Sequence, residues 1–335
     1  MSPKEILKQL ASGDIKALAR CITIVEYELK GYEDILASLK IKNVPVIGFT
    51  GPPGAGKSTL INALLSKLSK EGKKVGVIAI DPTSPFNYGS LLGDRLRMAE
   101  HFSDTNIFIR SLATRGSLGG LSAKTIEIVD VMRAYGTTPS PPSPKGKETG
   151  AQLSPFGGAG GGPGFDFIFL ETVGVGQSEV EVAGLADTTV LVLAPGFGDE
   201  VQAIKSGIME IGDIFVVNKS DNPGADGFAT TIKHLVTSKH PHPSPLGEGR
   251  GVRWIPPVLK IIATQNEGID QLIKKIDEHS TKAPNDKKLF LLTEKAYRLI
   301  QNKRMKNVNK KELQKKIEKE SKKKDFNLYR FIKGQ

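Results

Sequence analysis

The chain has 335 residues, 39% hydrophobic and 25% charged, enough apolar material for one large or two ordinary domains. Its one cysteine, Cys21, excludes an internal disulfide framework and any paired-cysteine metal or redox site, and no run nears the roughly 18 apolar residues of a membrane span. The net charge of +11 is local: residues 282–335 hold 18 Lys and Arg against 6 Asp and Glu, leaving 29 basic and 30 acidic residues in everything before.

With no signal-peptide core at its start, the sequence predicts a soluble, cytoplasmic protein with no membrane partner. Residues 1–43 predict a helical segment. Asp14 is placed to cap a helix over Ile15–Leu29, with Leu18, Ile22, Ile24 and Val25 among its apolar positions, and a second helix follows over Tyr32–Leu39. Cys21 lies on the first of these as a small buried residue.

One domain is expected over residues 44–280. The buried strand VPVIGFT runs into Gly51-Pro52-Pro53-Gly54-Ala55-Gly56-Lys57-Ser58-Thr59 and then a helix. This is G-x-x-x-x-G-K-[ST] in its strand–loop–helix setting. The glycines let backbone N–H groups turn toward phosphates, Lys57 reaches the β/γ-phosphates, and the Ser58 hydroxyl serves Mg²⁺. The strand KKVGVIAI ends in Asp81. A carboxylate at that end of a parallel strand faces ligand, so Asp81 is a candidate for the Mg²⁺ shell or for orienting the attacking water. Asp94 is a metal candidate with an equal alternative as the cap of a helix over Arg95–Glu100.

The strand FDFIFL leads into Glu171-Thr172-Val173-Gly174-Val175-Gly176-Gln177. Phosphoryl-transfer sites place an acid here to hold Mg²⁺ directly or through water. Glu171 takes that position, Gly174 offers an N–H to the γ-phosphate, and Gln177 is a candidate to position water or to meet a partner. The strand TTVLVLAPG follows, then GDIFVVNKSD, ending in Asn218-Lys219-Ser220-Asp221. The Asp221 carboxylate can accept from both N1–H and the 2-amino group of guanine, a pair that adenine does not present. Asn218 and the stem of Lys219 would hold the loop and cover the ring. VLKIIAT then brings Ala263, whose N–H would meet the base oxygen. The expected ligands are therefore GTP and GDP with Mg²⁺, and Lys57, Asp81, Glu171 and Gln177 are the expected catalytic group.

Two stretches interrupt this pattern, Gly136–Gly164 and His240–Gly251. Together they hold 12 of the 36 Gly and 9 of the 20 Pro, and both contain P-S-P-x-G-x-x-x-G. Neither can bury enough apolar surface to offset ordering its backbone, so both read as inserted surface loops. The first directly precedes the strand to Glu171, so its ends should meet on the side away from nucleotide. Residues 281–335 read as a basic helical arm, with Leu289, Leu292, Ala296, Leu299 and Ile300 at helical spacing and a weaker stripe at Leu313 and Ile317. Packing on its own domain or on a second subunit is preferred there to a nucleic-acid contact.

The order of these motifs resembles the MeaB/ArgK family of P-loop GTPases. The resemblance rests on SGDIKALARCITIVE, GPPGAGKSTLINAL, the pair IAIDPTSP and GSLLGDRLRM, FLETVGVGQSEVEV, GFGDEVQAIKSGIMEIGDIFVVNKSD, and the WIPPVLK and EGI segments, over roughly Ser12–Ile276. It implies a three-layer P-loop NTPase α/β fold of the SIMIBI class, with a mostly parallel central sheet, N-terminal helices and a C-terminal helical arm that forms homodimers. It further implies a chaperone whose GTP cycle gates adenosylcobalamin delivery to methylmalonyl-CoA mutase or a related acyl-CoA mutase and protects it. Asp81, Asp94 and Glu171 match the family's magnesium and switch positions, and Gly196–Lys205 matches a third switch that meets the mutase. GTP turnover is expected to be slow without the partner. Two alternatives stand beside this reading. A nickel or cobalt metallochaperone GTPase of the same class would need Cys/His ligands, and here only His240 and His242 lie close together. A transport-associated ATPase or kinase conflicts with N-K-S-D.

Overall fold

The computed structural model describes residues 2–81, 98–113, 124–137, 162–172, 184–196, 208–239 and 254–282, with 308–320 and isolated positions between 293 and 331. The chain divides into two compact units, Met1–Leu289 and Phe290–Gln335.

The first unit is built on seven strands: β1 (Val46–Thr50), β2 (Val75–Asp81), β3 (Ile107–Ala113), β4 (Phe167–Thr172), β5 (Thr188–Leu193), β6 (Ile214–Val217) and β7 (Val258–Lys260). They form one sheet in the order β3-β2-β4-β1-β5-β6-β7, and every pair is parallel. The strands are continuous apolar runs because both faces are covered, which parallel sheets require. Alternate residues then feed different cores. Ile47, Phe49, Val77, Phe167 and Phe169 meet helices α4 (Lys57–Lys70) and α7 (Ile269–Lys282) on one face. Val46, Ile78, Ile80, Ile168 and Leu170 meet α1 (Pro3–Ser12), α2 (Ile15–Glu26), α3 (Tyr32–Ala37) and α5 (Thr125–Arg133) on the other. Helix α6 (Ala225–Lys239) covers Leu191, Leu193 and Phe215 through Ile232 and Val236. This is a three-layer P-loop NTPase fold, and its sheet is wholly parallel among the described strands.

Helix α1, β3, α5 and α6 are additions to the sequence reading. Helix α1 carried a legible signal: Ser2 and Glu5 form a capping box around its first turn. Asp14 caps α2 as expected, accepting from the N–H groups of Lys16 and Ala17 at 2.7 and 3.1 Å. That helix stops at Glu26, short of Leu29, because Glu28 turns to φ 49° and the Leu29 N–H closes on the Ile24 carbonyl. Cys21 is fully buried within α2; burial pushes its thiol up to about 12, which leaves it no thiolate at neutral pH.

At the N-terminal ends of the strands one arrangement occurs three times. Asp166, Asp187 and Asp213 each donate their own N–H to a neighbour's carbonyl, those of Lys74, Val46 and Thr189. Each carboxylate accepts the N–H of that same neighbour at 2.8 Å. Every clamp therefore satisfies a strand-start donor that the ladder leaves open. Asp187 also pairs with Arg133, and Asp213 lies 3.3 Å from His279 Nε2.

The described ends of the first insertion meet at this same edge. A Cβ on Gly136, which has φ 64°, would lie 2.2 Å from the Gly164 nitrogen. Gly136 donates to the Leu10 carbonyl at 2.9 Å and accepts from Lys42 Nζ. The insertion thus leaves and re-enters at the N-terminal end of β4, opposite the strand ends that carry the phosphate loop. The second insertion, from residue 240 to 251, lies outside the described residues.

In the second unit, helix α8 (Lys310–Glu320) begins at Asn309, whose Oδ1 accepts from the Glu312 N–H and whose carbonyl accepts from Leu313. Leu313 and Ile317 are half-buried one turn apart, with charged residues between them exposed. Tyr297, Ile300, Met305 and Val308 are exposed. Among the described residues, no helix is long and apolar enough to cross a membrane.

Candidate nucleotide site

The C-terminal ends of β1, β4, β6 and β7 converge on one edge of the sheet. Loop 51–56 leaves β1 there with Gly51, Gly54 and Gly56 at φ 138°, 77° and 88°, a conformation glycine adopts without a Cβ penalty. Space demands it as well: a Cβ on Gly51 would lie 2.0 Å from the Val192 carbonyl oxygen, and one on Gly56 would lie 2.4 Å from Asn218 Nδ2. Pro52 and Pro53 have no N–H, so after Gly51 the loop's donors resume at Gly54. Helix α4 starts at Lys57 with Gly56 as its N-cap and no side-chain cap. Its first-turn amides and the positive end of its dipole therefore face the loop, as an anion site requires.

Lys57 is buried. Its ammonium donates to the carbonyls of Gly51 and Pro52 at 2.8 and 3.0 Å, which holds the charge over the loop it must serve. Ser58, one residue on, donates its hydroxyl to Glu171 Oε1 at 2.6 Å. Glu171 lies on β4 between Phe49 of β1 and Ala79 of β2 and is 7% exposed. Two hard oxygen donors, one anionic, thus stand together beside the phosphate loop, a set that fits Mg²⁺. Asp81 closes β2 opposite Ala113, at the same sheet edge. Among the described residues no group of three or more His, Cys, Asp and Glu gathers. Asp94, Gly174 and Gln177, with most of the expected third switch after Gly196, lie outside the described residues.

Asn218, the residue after β6, is a buried tie. Its amide donates to the Ala55 carbonyl at 2.9 Å and, more weakly, to that of Gly56 at 3.5 Å. Its Oδ1 accepts the Ala263 N–H at 3.2 Å. One side chain thereby joins the phosphate loop to the 3-10 turn Ala263–Gln265. Ala263 was expected to give that N–H to a base oxygen; here the N–H is engaged by Asn218, through a long bond that a stronger acceptor can share. Lys219 adopts φ 56°, uncommon for a residue with a side chain, and its Cε comes within 4.0 Å of the Cβ position of Gly56. Ser220 anchors the turn through its hydroxyl to the Val217 carbonyl and its N–H to Ile261. Asp221 follows, exposed to solvent.

Thr50 and Thr172, the last residues of β1 and β4, went unremarked in the sequence. Both are fully buried, and their hydroxyls lie 3.4 Å apart. The available signal was a polar β-branched residue at the last position of two apolar strands, β1 and β4, that lead into nucleotide motifs.

Comparison with known proteins agrees with this geometry. The family model for the methylmalonyl-CoA mutase-associated GTPase MeaB matches residues 18–138 and 159–322. The match steps over most of the first insertion and continues well into the basic arm, beyond the Ile276 limit of the sequence resemblance. A GTPase-family protein of Pyrococcus abyssi is 44% identical over 82% of this chain and 75% of its own length. The GTPase ArgK of Escherichia coli is 33% identical over 83% of the chain and 76% of its own length. The mitochondrial methylmalonic aciduria type A homolog of Mus musculus is 37% identical over 68% of this chain and 46% of its own. The crystal structure of an LAO/AO transport system kinase superposes with a TM-score of 0.60 at 25% identity, covering 91% of this chain and 87% of that one. A match of that extent, on a chain whose strand-end motifs fall where GTP is held, makes this protein a member of the MeaB/ArgK family of P-loop GTPases.

Proposed function

We propose that this GTPase uses its nucleotide cycle to gate adenosylcobalamin delivery to an acyl-CoA mutase, with methylmalonyl-CoA mutase the first candidate, and to protect that enzyme. The observation that carries the reading is the family match, whose description names the mutase and which spans both halves of the chain. The name of the mouse relative points to methylmalonate metabolism as well.

In this reading the α4 N-terminus and the loop amides bind the phosphates, Lys57 neutralises charge on the β/γ-phosphates, and Asp221 selects guanine. Mg²⁺ would be held by Ser58 and Glu171, with Asp81 and Asp94 as further acids, and when bound it would neutralise charge that develops on the transferring phosphoryl group. Gly174 would sense the γ-phosphate, and Gln177 or Asp81 would orient the attacking water. Turnover is slow in isolation because such sites commonly wait for a partner to complete their stabilising charge. The protein works in the cytoplasm as a homodimer through residues 281–335, with exposed Tyr297, Ile300 and Met305 in keeping with a covered surface.

The test is co-purification with an adenosylcobalamin-dependent mutase in the presence of a non-hydrolysable GTP analogue, with GTP hydrolysis measured with and without the mutase. A nucleotide-dependent complex and faster hydrolysis are expected. Neither complex nor acceleration with any such mutase would overturn the reading. Excess ATP should fail to displace labelled GTP, which separates this function from that of an ATP-dependent kinase.

A further inference from the structure

The two threonines at the roots of the nucleotide loops are chemically conspicuous. Thr50 and Thr172 are 0% and 1% exposed, and each occupies a place where valine would have the same shape and no desolvation cost. The register Phe49↔Glu171 makes them neighbours one residue further along, on the last rung before β1 and β4 separate. Strand alternation puts Glu171 on the α4 face with Phe167 and Phe169. Thr172 consequently lies on the opposite face with Ile168 and Leu170. The end of β4 is therefore held from both sides, by Ser58 on Glu171 in front and by the hydroxyl pair behind.

The bonding of this pair is unusual. The Thr172 hydroxyl has one proton and two acceptors, the Phe49 carbonyl and Thr50 Oγ1, each at 3.4 Å. Both lie at the outer limit of a hydrogen bond, so the one hydroxyl ties β4 to β1 through two weak contacts, both with the end of β1. Thr50 is followed by Gly51 of the phosphate loop, and Thr172 by Val173 and Gly174.

We propose that Thr50 and Thr172 form a positioning pair for GTP hydrolysis, fixing the end of β4, and with it the Glu171 carboxylate, against the root of the phosphate loop. The pair touches no nucleotide; it acts through Glu171 and through the chain that continues from Thr172. It requires only that the protein hydrolyse GTP, and it stands whatever partner the protein serves.

The test uses the full chain with Thr172→Val, Thr172→Ser, Thr50→Val and the Thr50→Val/Thr172→Val double variant. GTP turnover, fluorescent GDP binding and thermal unfolding are measured on each. Thr172→Val should lower kcat about five- to tenfold, the worth of one modest hydrogen bond, with KM and GDP affinity changed by no more than about twofold. Thr172→Ser keeps the hydroxyl and should recover most of the rate. The double variant should be no slower than the slower single one, as expected of residues that act as a unit. A wild-type rate in Thr172→Val, an equal loss in Thr172→Ser, or independent multiplication of the two valine effects would each overturn the proposal. A rate loss that merely tracks a fall in Tm across the set would overturn it too.

Discussion

At the N-terminal ends of its strands the sheet is fastened by Asp166, Asp187 and Asp213, each accepting a strand-start N–H at 2.8 Å. At the C-terminal ends polar groups gather around the phosphate loop instead. The first turn of α4 has no side-chain cap, Lys57 rests on the carbonyls of its own loop, and Lys219 holds a left-handed backbone. The same sheet is thus closed at one edge and open at the other. The clamps and the phosphate loop lie at opposite ends of the same strands. Substitutions at the two edges should therefore fail in different ways.

The largest expected effect is at the open edge. Lys57→Ala removes the cation proposed to neutralise the transferring phosphoryl group, and GTP turnover should fall by about 10²–10³-fold, as when a preorganised charge-stabilising donor is lost. The far-UV circular dichroism and Tm should stay close to those of the parent protein. An unfolded Lys57→Ala protein would mean that the ammonium's two carbonyl bonds hold the fold itself, and the contrast between edges would lapse. Glu171→Gln is milder in structure because the amide oxygen can still accept from Ser58. It lowers the charge of the proposed Mg²⁺ site, so the Mg²⁺ concentration for half-maximal turnover should rise, and kcat should drop about tenfold or more. A magnesium titration of parent and variant reads both.

The closed edge should show the reverse. In Asp187→Ala the Val46 N–H loses its acceptor, and the Arg133 guanidinium loses its carboxylate while keeping the Val44 carbonyl. Since the pair is only partly buried, a cost of about 2 to 3 kcal/mol is expected, below that of breaking a wholly buried ion pair. Denaturant unfolding would register it as a lower midpoint, with guanine-nucleotide affinity unchanged. A loss of GTP binding at equal stability would show that the two edges are coupled through β1.

The open edge was far more legible in sequence than the closed one. Gly51 to Ser58 form a contiguous motif whose strand, loop and helix are local, and Asn218 to Asp221 point to guanine once they follow that motif at a strand end. What Asn218 does for the loop was hidden, because its acceptor at Ala55 lies 163 positions away and became a neighbour only when β6 and β1 joined one sheet. The aspartate clamps were hidden for the same reason. The sequence shows Asp just before three apolar runs, but each clamp's partner depends on the strand order β3-β2-β4-β1-β5-β6-β7, which no local pattern specifies. Helix α1 is a different case: its capping box at Ser2 and Glu5 was readable, whereas nothing local in the sequence shows that the Ala263 N–H meets Asn218, 45 positions away.

The smallest expected effect tests whether the closed edge also tolerates inserted chain. Gly136 and Gly164 already touch, and the Gly136 N–H and carbonyl are satisfied by Leu10 and Lys42. Residues 138–161 can therefore be replaced by a short glycine-serine link without moving either end. Each halving of a flexible loop returns about 0.6 kcal/mol of closure entropy, so the shortened protein should gain about 1 to 1.5 kcal/mol of stability. Its GTP turnover should be unaltered, because the stem opens at the N-terminal end of β4 while Glu171 lies near the other end. Paired measurements of unfolding and hydrolysis decide the matter. A destabilised protein would show that the replaced residues contribute packing to the base. A slower GTPase of unchanged stability would show that they reach the nucleotide edge, which would remove the separation of the two edges at its most tolerant point.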